Sequence, residues 1–199
     1  MTISTEKIVT VPNSEETIHQ QWTDEAFMAL PDDGNQYEIV NGELVMSNSG
    51  AEHGYIAVIL STILYSFVRS HKLGVVLDSS TAFTLKTGNK RSPDVSFIAK
   101  ERLQGLKKLP RGFWQGSPDL AVEVLSPSNT VEEIHNKIIE YFDNDTKLVW
   151  VINPEEEYVL IYHSPKPDRF LTNQDMLDGE DIIPGFQMAV AELFAELEF

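Results

Sequence analysis

The sequence predicts an α/β domain with a central mixed β-sheet flanked by helices. Three observations indicate this class. Residues 120–125 (LAVEVL) form a strand-like run that is apolar at all positions but one, as in buried central strands. Asn41-Gly42 is the strongest short-range hairpin signal in the chain. Residues 52–71 form a long, mostly apolar helical segment between further strand-like runs. Strands and helices that intermix along 199 residues are typical of one α/β domain.

The individual elements follow from local patterns and turn residues. The polar, unpatterned residues 1–20 are predicted to form a loose N-terminal arm, and residues 21–199 the domain. The apolar character of 52–71 predicts a largely buried helix. Predicted strands cover 37–40, 43–46, 74–78, 81–86, 93–98, 120–125, 147–152, 158–163 and 169–172, and predicted helices cover 24–30, 52–71, a segment capped by Ser128 or Thr130, and 188–197.

A single acid interrupts the central strand. Glu123 is flanked by apolar residues on both sides, and a buried carboxylate is costly unless it is paired, protonated or bound to a cation. Its position therefore indicates a functional group. Ser126-Pro127 ends the strand, and Lys137 lies at the edge of the apolar stripe of the following helix.

A second acid begins another short strand. Asp94 follows Pro93 where proline is tolerated, and taken alone it would be a turn residue. Lys137 taken alone could be a lysine whose stem covers apolar surface. Together, two carboxylates can hold a divalent cation that activates water, and a lysine can stabilise charge on a phosphate. Asp94, Glu123 and Lys137 therefore predict metal-assisted phosphodiester hydrolysis.

Several ordered segments resemble the Uma family of predicted restriction endonucleases, within the PD-(D/E)XK nuclease superfamily. These segments are 37–44 (YEIVNGEL) followed by His53, Pro93-Asp94-Val95, 123–128 (EVLSPS), Lys137 with Tyr141, 150–154 (WVINP) and Pro184-Gly185-Phe186. The resemblance covers most of the chain after about residue 20. One departure is that Leu125 stands where the superfamily's lysine is usual.

The resemblance implies a restriction-endonuclease-like fold and a metal-dependent endonuclease acting on nucleic acid, with DNA as the expected substrate. Asp94 and Glu123 would bind Mg²⁺ or Mn²⁺. Lys137, on the helix, would replace the lysine missing at Leu125. Glu43 would be a third acid, although an exposed cross-strand charge is its ordinary role. His53 would support the acids or simply cap its helix. A homodimer is a further expectation.

Charge restricts how nucleic acid could bind. The formal net charge of −16 argues against a general nucleic-acid binder, because phosphate contacts come from lysine and arginine. The segment from Arg69 to Arg111, however, contains ten basic and three acidic residues. The Pro-Asp motif lies within this basic segment. If these bases gather beside the acids they would bind phosphate. The alternative is a set of solvated loops.

Composition excludes other classes of protein. The chain has no cysteine, which excludes disulfides and thiolate chemistry and fits a cytoplasmic protein. Residues 1–11 have no secretory pattern, and the apolar run 55–68 is predicted to be too short to span a membrane. Two alternatives to a nuclease remain open. One is a non-catalytic binding or assembly module that keeps the nuclease fold, and the other is a metal-dependent hydrolase of small phosphorylated molecules.

Overall fold

A six-stranded mixed sheet forms the centre of the computed structural model, which describes residues 22–31, 36–47 and 49–196. The predicted arm over residues 1–20 lies outside the described residues. The elements are α1 (Asp24–Met28), β1 (Gln36–Val40), β2 (Glu43–Ser47), α2 (Ala51–His71), β3 (Gly74–Asp78), β4 (Phe83–Thr84), β5 (Lys90–Arg91), β6 (Val95–Ala99), β7 (Trp114–Gln115), β8 (Leu120–Val124), α3 (Val131–Asp143), β9 (Leu148–Asn153), β10 (Tyr158–Tyr162), β11 (Pro167–Leu171), β12 (Met176–Asp178) and β13 (Gln187–Ala189), with short 3₁₀ helices at Lys100–Leu103 and Val190–Leu193.

The central sheet has the order β11-β10-β9-β8-β6-β3. β8 and β9 are parallel, and the other neighbours are antiparallel. The predicted α/β class with a mixed sheet is therefore confirmed. A five-stranded sheet of order β2-β1-β5-β4-β7 lies beside it, and β12 and β13 form a small hairpin.

The two long helices, α2 and α3, pack on opposite faces of the central sheet. Alternate residues of β8 explain this, because successive side chains of a strand point to opposite faces. Leu120, Val122 and Val124 belong to the core beneath α2, whereas Ala121 belongs to the core beneath α3. By the same alternation, Glu123 lies on the α3 side of the sheet.

α2 packs one face of its helix into the core. Its buried residues recur at four-residue intervals and include Ile56 and Leu64, but Val58 is 63 % exposed, so the helix is less buried than predicted. The apolar run 55–68 is predicted from the sequence to be too short to span a membrane. The whole helix has 21 residues, and by length and composition alone it could cross one. A core helix of a soluble protein passes the same test.

α3 begins with a capping box. The Thr130 hydroxyl accepts a hydrogen bond from the Glu133 amide, and the Glu133 carboxylate accepts one from the Thr130 amide. Of the two predicted caps, Thr130 is therefore the one used. Ile134, Ile138 and Tyr141 face the sheet, so Lys137 enters from the same helix at the edge of this buried stripe.

The predicted C-terminal helix over 188–197 is wrong. Met188 lies in β13, where it pairs with Leu177, and a 3₁₀ turn follows at Val190–Leu193. Met188, Val190 and Leu193 are all buried in the main core. A short apolar pattern fits a strand and a helix about equally well, and the pairing with β12 decides between them here.

Candidate active site

The two acids predicted from the sequence face each other across neighbouring strands. Asp94 immediately precedes β6, which runs antiparallel to β8 with Val95 opposite Val122, so the alternation of side chains puts Asp94 and Glu123 on the same side of the sheet. The Asp94 amide donates to the Val122 carbonyl over 3.0 Å, and Asp94 Oδ2 accepts from the Val124 amide over 2.7 Å. Asp94 and Glu123 are 7 % and 4 % exposed and line one cavity of about 430 Å³.

Lys137 reaches this cavity from α3. Its Nζ lies 3.1 Å from Glu123 Oε2 and 3.2 Å from Glu38 Oε1, and its side chain is 17 % exposed. Burial favours the neutral amine, but the charges of Glu123, Glu38 and Asp94 outweigh it and raise the pKa of Lys137 above its usual range. Lys137 therefore carries a fixed positive charge between two carboxylates.

Glu38 of β1 is a site residue that sequence reasoning missed. Its Oε1 accepts from the Ser92 amide over 2.9 Å, and its Oε2 accepts from Arg91 Nη1 over 2.9 Å. Burial favours the neutral acid, but Lys137 and Arg91 together hold the pKa of Glu38 below its usual value. The signal was available, since Glu38 stands in an otherwise apolar stretch of strand much as Glu123 does.

Glu43 does not join the site. It pairs with Val40 across the β1–β2 hairpin, on the same face as Glu38 but nearer the turn. Its side chain is exposed and is not among those that line the cavity. The structure therefore brings Glu38, and not the predicted Glu43, to the two strand acids. The β1–β2 hairpin has an acid on each strand, both on one face, and only tertiary packing shows which of the two is buried.

A polar network behind Lys137 holds Glu38 in place. Arg91 Nε donates to Glu140 Oε2 over 2.5 Å while its Nη1 binds Glu38, so one guanidinium joins β1 to α3. Asn89 donates to the other Glu140 oxygen over 2.6 Å. Glu140 lies three residues after Lys137 on α3, so the network ties the lysine's own helix to the strand that carries Glu38.

His53 and Tyr141 bind one acid each. His53 Nε2 lies 3.1 Å from Asp94 Oδ2, and the histidine is in the first turn of α2, whose N-cap is Gly50. Burial opposes a charged imidazole, but the hydrogen bond and charge of Asp94 outweigh it and raise the pKa of His53. The Tyr141 hydroxyl donates to Glu123 Oε1 over 2.5 Å. Each acid is thus fixed in orientation.

Negative charge predominates in this cluster. Among the residues that the structure describes, Glu38, Asp94, Glu123 and Glu140 lie beside two permanently charged bases, Lys137 and Arg91. Burial raises the pKa of Glu123 to about 7, against the opposing effect of Lys137 and with further increase from Asp94 and Glu38. A carboxylate that is buried beside other carboxylates binds a proton or a cation favourably.

The donor set fits Mg²⁺ or Mn²⁺. Within the described part of the chain, no group of three or more His, Cys, Asp or Glu side chains is arranged to hold a metal ion. Mg²⁺ is often bound by only one or two carboxylates and keeps several waters. Asp94 and Glu123 supply two such carboxylates, and the excess negative charge of the cluster matches a divalent ion.

The basic segment 69–111 does not gather around the acids, which was the condition for its binding phosphate there. Of the lysines and arginines in the described residues, only Arg91 and Lys137 line the cavity, and both are paired. Lys90 is 2 % exposed and is paired with Asp24. Arg102 is bound to the buried Asp119. These bases support the fold because buried charges need partners.

Comparisons with known proteins show the family and the fold of this chain. A family model described as "Uma2: Putative restriction endonuclease" matches residues 24–191. A crystal structure described as a "putative nuclease belonging to DUF820" from Anabaena variabilis superposes with a TM-score of 0.73. It is 18 % identical in sequence, and the alignment covers 87 % of this chain and 97 % of that one. No curated protein matches the sequence significantly.

The two matches support different conclusions. At 18 % identity the crystal structure shows a shared fold, which confirms the predicted restriction-endonuclease-like architecture. The family model spans most of the chain and includes Glu38, Asp94, Glu123 and Lys137. The chain therefore belongs to the Uma2 family, whose model carries the description "Putative restriction endonuclease".

Proposed function

We propose that this protein is a divalent-metal-dependent endonuclease that hydrolyses phosphodiester bonds of DNA. The observation that carries the proposal is the position of Lys137, 3.1 Å from Glu123, while Asp94 faces Glu123 across the strand pair. The acid–acid–lysine set is thus complete although Leu125 occupies the usual lysine position. The helix supplies the amine that the strand lacks.

Each residue has a specific role in this proposal. Asp94 and Glu123 would hold Mg²⁺ or Mn²⁺, which when bound lowers the pKa of water and neutralises charge on the phosphate. Lys137 donates a hydrogen bond to the attacking water or to the phosphate oxygens, where negative charge develops. His53 holds Asp94. Tyr141 binds Glu123 Oε1, and Glu123 Oε2, which accepts from Lys137, keeps a second lone pair for a cation.

The buried charges favour catalysis over a fold kept only for binding. Desolvating a lysine and two carboxylates is costly, and apolar residues of similar volume stabilise a fold at least as well. A module that only binds a partner has no need of Lys137 between Glu123 and Glu38. A hydrolase of small phosphorylated molecules would share the chemistry of an endonuclease. Cleavage of a DNA substrate distinguishes these two enzymes.

Asp94→Asn tests the proposal directly. The amide keeps an oxygen for the Val124 hydrogen bond but removes the charge that would hold the metal ion. The transition state should lose about 4 kcal/mol or more of stabilisation by the metal ion. The rate of cleavage of plasmid and single-stranded DNA with Mg²⁺ or Mn²⁺ should therefore fall about a thousandfold or more. Asp143→Asn removes an exposed acid at the end of α3 and should leave cleavage unchanged. Equal activity of both variants would rule out the proposed site.

Lys137→Met removes the amine and keeps the length of the side chain. Cleavage should fall on the order of 10²–10³-fold, because one donor to the developing charge is lost. Mn²⁺ binding, measured by calorimetry, should persist because both carboxylates remain. Lys166→Met, at an exposed position, is the control. Cleavage at the wild-type rate in Lys137→Met would show that the lysine takes no part in the mechanism.

Glu38→Gln tests whether Glu38 positions Lys137. Glutamine keeps one acceptor oxygen, enough for the bond from either Ser92 or Arg91 but not for both, and it no longer attracts the amine electrostatically. Misplacement of the lysine should lower kcat on the order of 10–100-fold while KM and Mn²⁺ affinity stay near wild type. A thermal melt separates this effect from loss of fold. A fall in Mn²⁺ affinity with unchanged kcat would instead make Glu38 a metal ligand.

A further inference from the structure

The active-site cavity is the first of three adjoining cavities, which share lining residues and which we together call the cleft. Gln36 and Ser49 line both the active-site cavity and a second cavity of about 430 Å³. Ser80 and Ala82 line both this second cavity and a third of about 330 Å³. The third cavity is bordered by the loop that carries Arg111. The cleft therefore runs from the two acids to the basic segment.

Beyond the active site, the described residues that line this cleft include no aspartate or glutamate. This is unusual in a chain with 31 acids and a net charge of −16. Asp78 is near, but its Oδ1 accepts from the Ser80 amide and hydroxyl, and it lines a separate hollow beside α2. A polyanion that most of the surface repels could enter along this cleft.

The cleft also carries groups that suit a nucleotide chain. Gln36 is fixed by hydrogen bonds from its Nε2 to the Ser79 and Ser92 carbonyls, at 3.2 and 3.1 Å. Phe113 lies against Phe27 in an edge-to-face contact in the farther part of the cleft. Sites that bind single-stranded nucleic acid combine aromatic side chains, on which bases stack, with basic groups along the backbone; Phe113 supplies an aromatic ring here.

Arg111 ends the cleft with a charge available for a ligand. It is exposed and has no ion pair among the residues that the structure describes. Lys90 and Arg91, in contrast, are buried and paired. One available arginine can hold one phosphate, whereas gripping a duplex needs basic groups for the phosphates of both strands.

On the basis of the proposed function, we propose that the nuclease takes one unpaired strand of DNA, which lies in this cleft with its scissile phosphate at Asp94 and Glu123 and a distal phosphate at Arg111. The substrate class is then single-stranded DNA or a duplex with a free single-stranded segment. An intact duplex would bind poorly, since the protein as a whole is acidic.

Binding of fluorescent oligothymidylate to the full chain tests this inference. The measurement is made in Ca²⁺ at several salt concentrations, beside a duplex of the same length. The single strand should bind at least tenfold more tightly. Ser79→Glu places an acid in the second cavity and should weaken binding about tenfold or more, whereas Ser66→Glu, on the exposed side of α2, should not.

Arg111→Ala tests the far end of the cleft in the same assay. Loss of one phosphate contact should weaken binding about fivefold and reduce the salt slope by about 0.7. Lys166→Ala, an exposed base elsewhere, should change neither. Equal affinity for duplex and single strand, no binding, or wild-type binding by Ser79→Glu and Arg111→Ala would each overturn the inference. Cleavage that is lost in Asp94→Asn would still support the proposed function in those cases.

Discussion

The ion pairs of the partly buried Lys137 amine with Glu123 and Glu38 are the interaction on which the site depends. This interaction joins the consecutive elements β8 and α3 to β1, which is distant in the sequence, at a single charged atom. None of the three groups could be buried alone at acceptable cost, because an unpaired charge in the interior is strongly destabilising. The fold and the chemistry are therefore coupled, since each charge needs the others to remain in place.

The register of two strands provides the second constraint. Val95 opposite Val122 sets Asp94 opposite Glu123, and a shift of one residue would send one acid to the other face of the sheet. α3 then brings Lys137 to that same face because Ile134, Ile138 and Tyr141 bury the helix against it. The position of the site follows from sheet pairing and helix packing together.

Much of the site could be predicted from the sequence, because local rules apply to it. An acid in an apolar strand is detectable without a structure, and this identified Glu123. Glu38 has a similar setting but shares its hairpin face with Glu43, and only burial against Arg91 distinguishes the two. Whether the basic segment binds phosphate stayed open, because sequence cannot show that bases such as Lys90 and Arg91 are already paired. The C-terminal helix was wrong because Met188 pairs with Leu177.

The central claim is that Asp94 and Glu123 share one divalent cation beside Lys137. Anomalous diffraction from crystals grown with Mn²⁺ tests it most directly, since the signal locates the ion independently of the protein atoms. The account predicts one strong peak about 2.0–2.6 Å from an oxygen of each acid, and loss of that peak in Asp94→Asn crystals. A Mn²⁺ peak at other residues would contradict the claim. So would the absence of a peak at Asp94 and Glu123 in crystals in which Lys137 still binds Glu123.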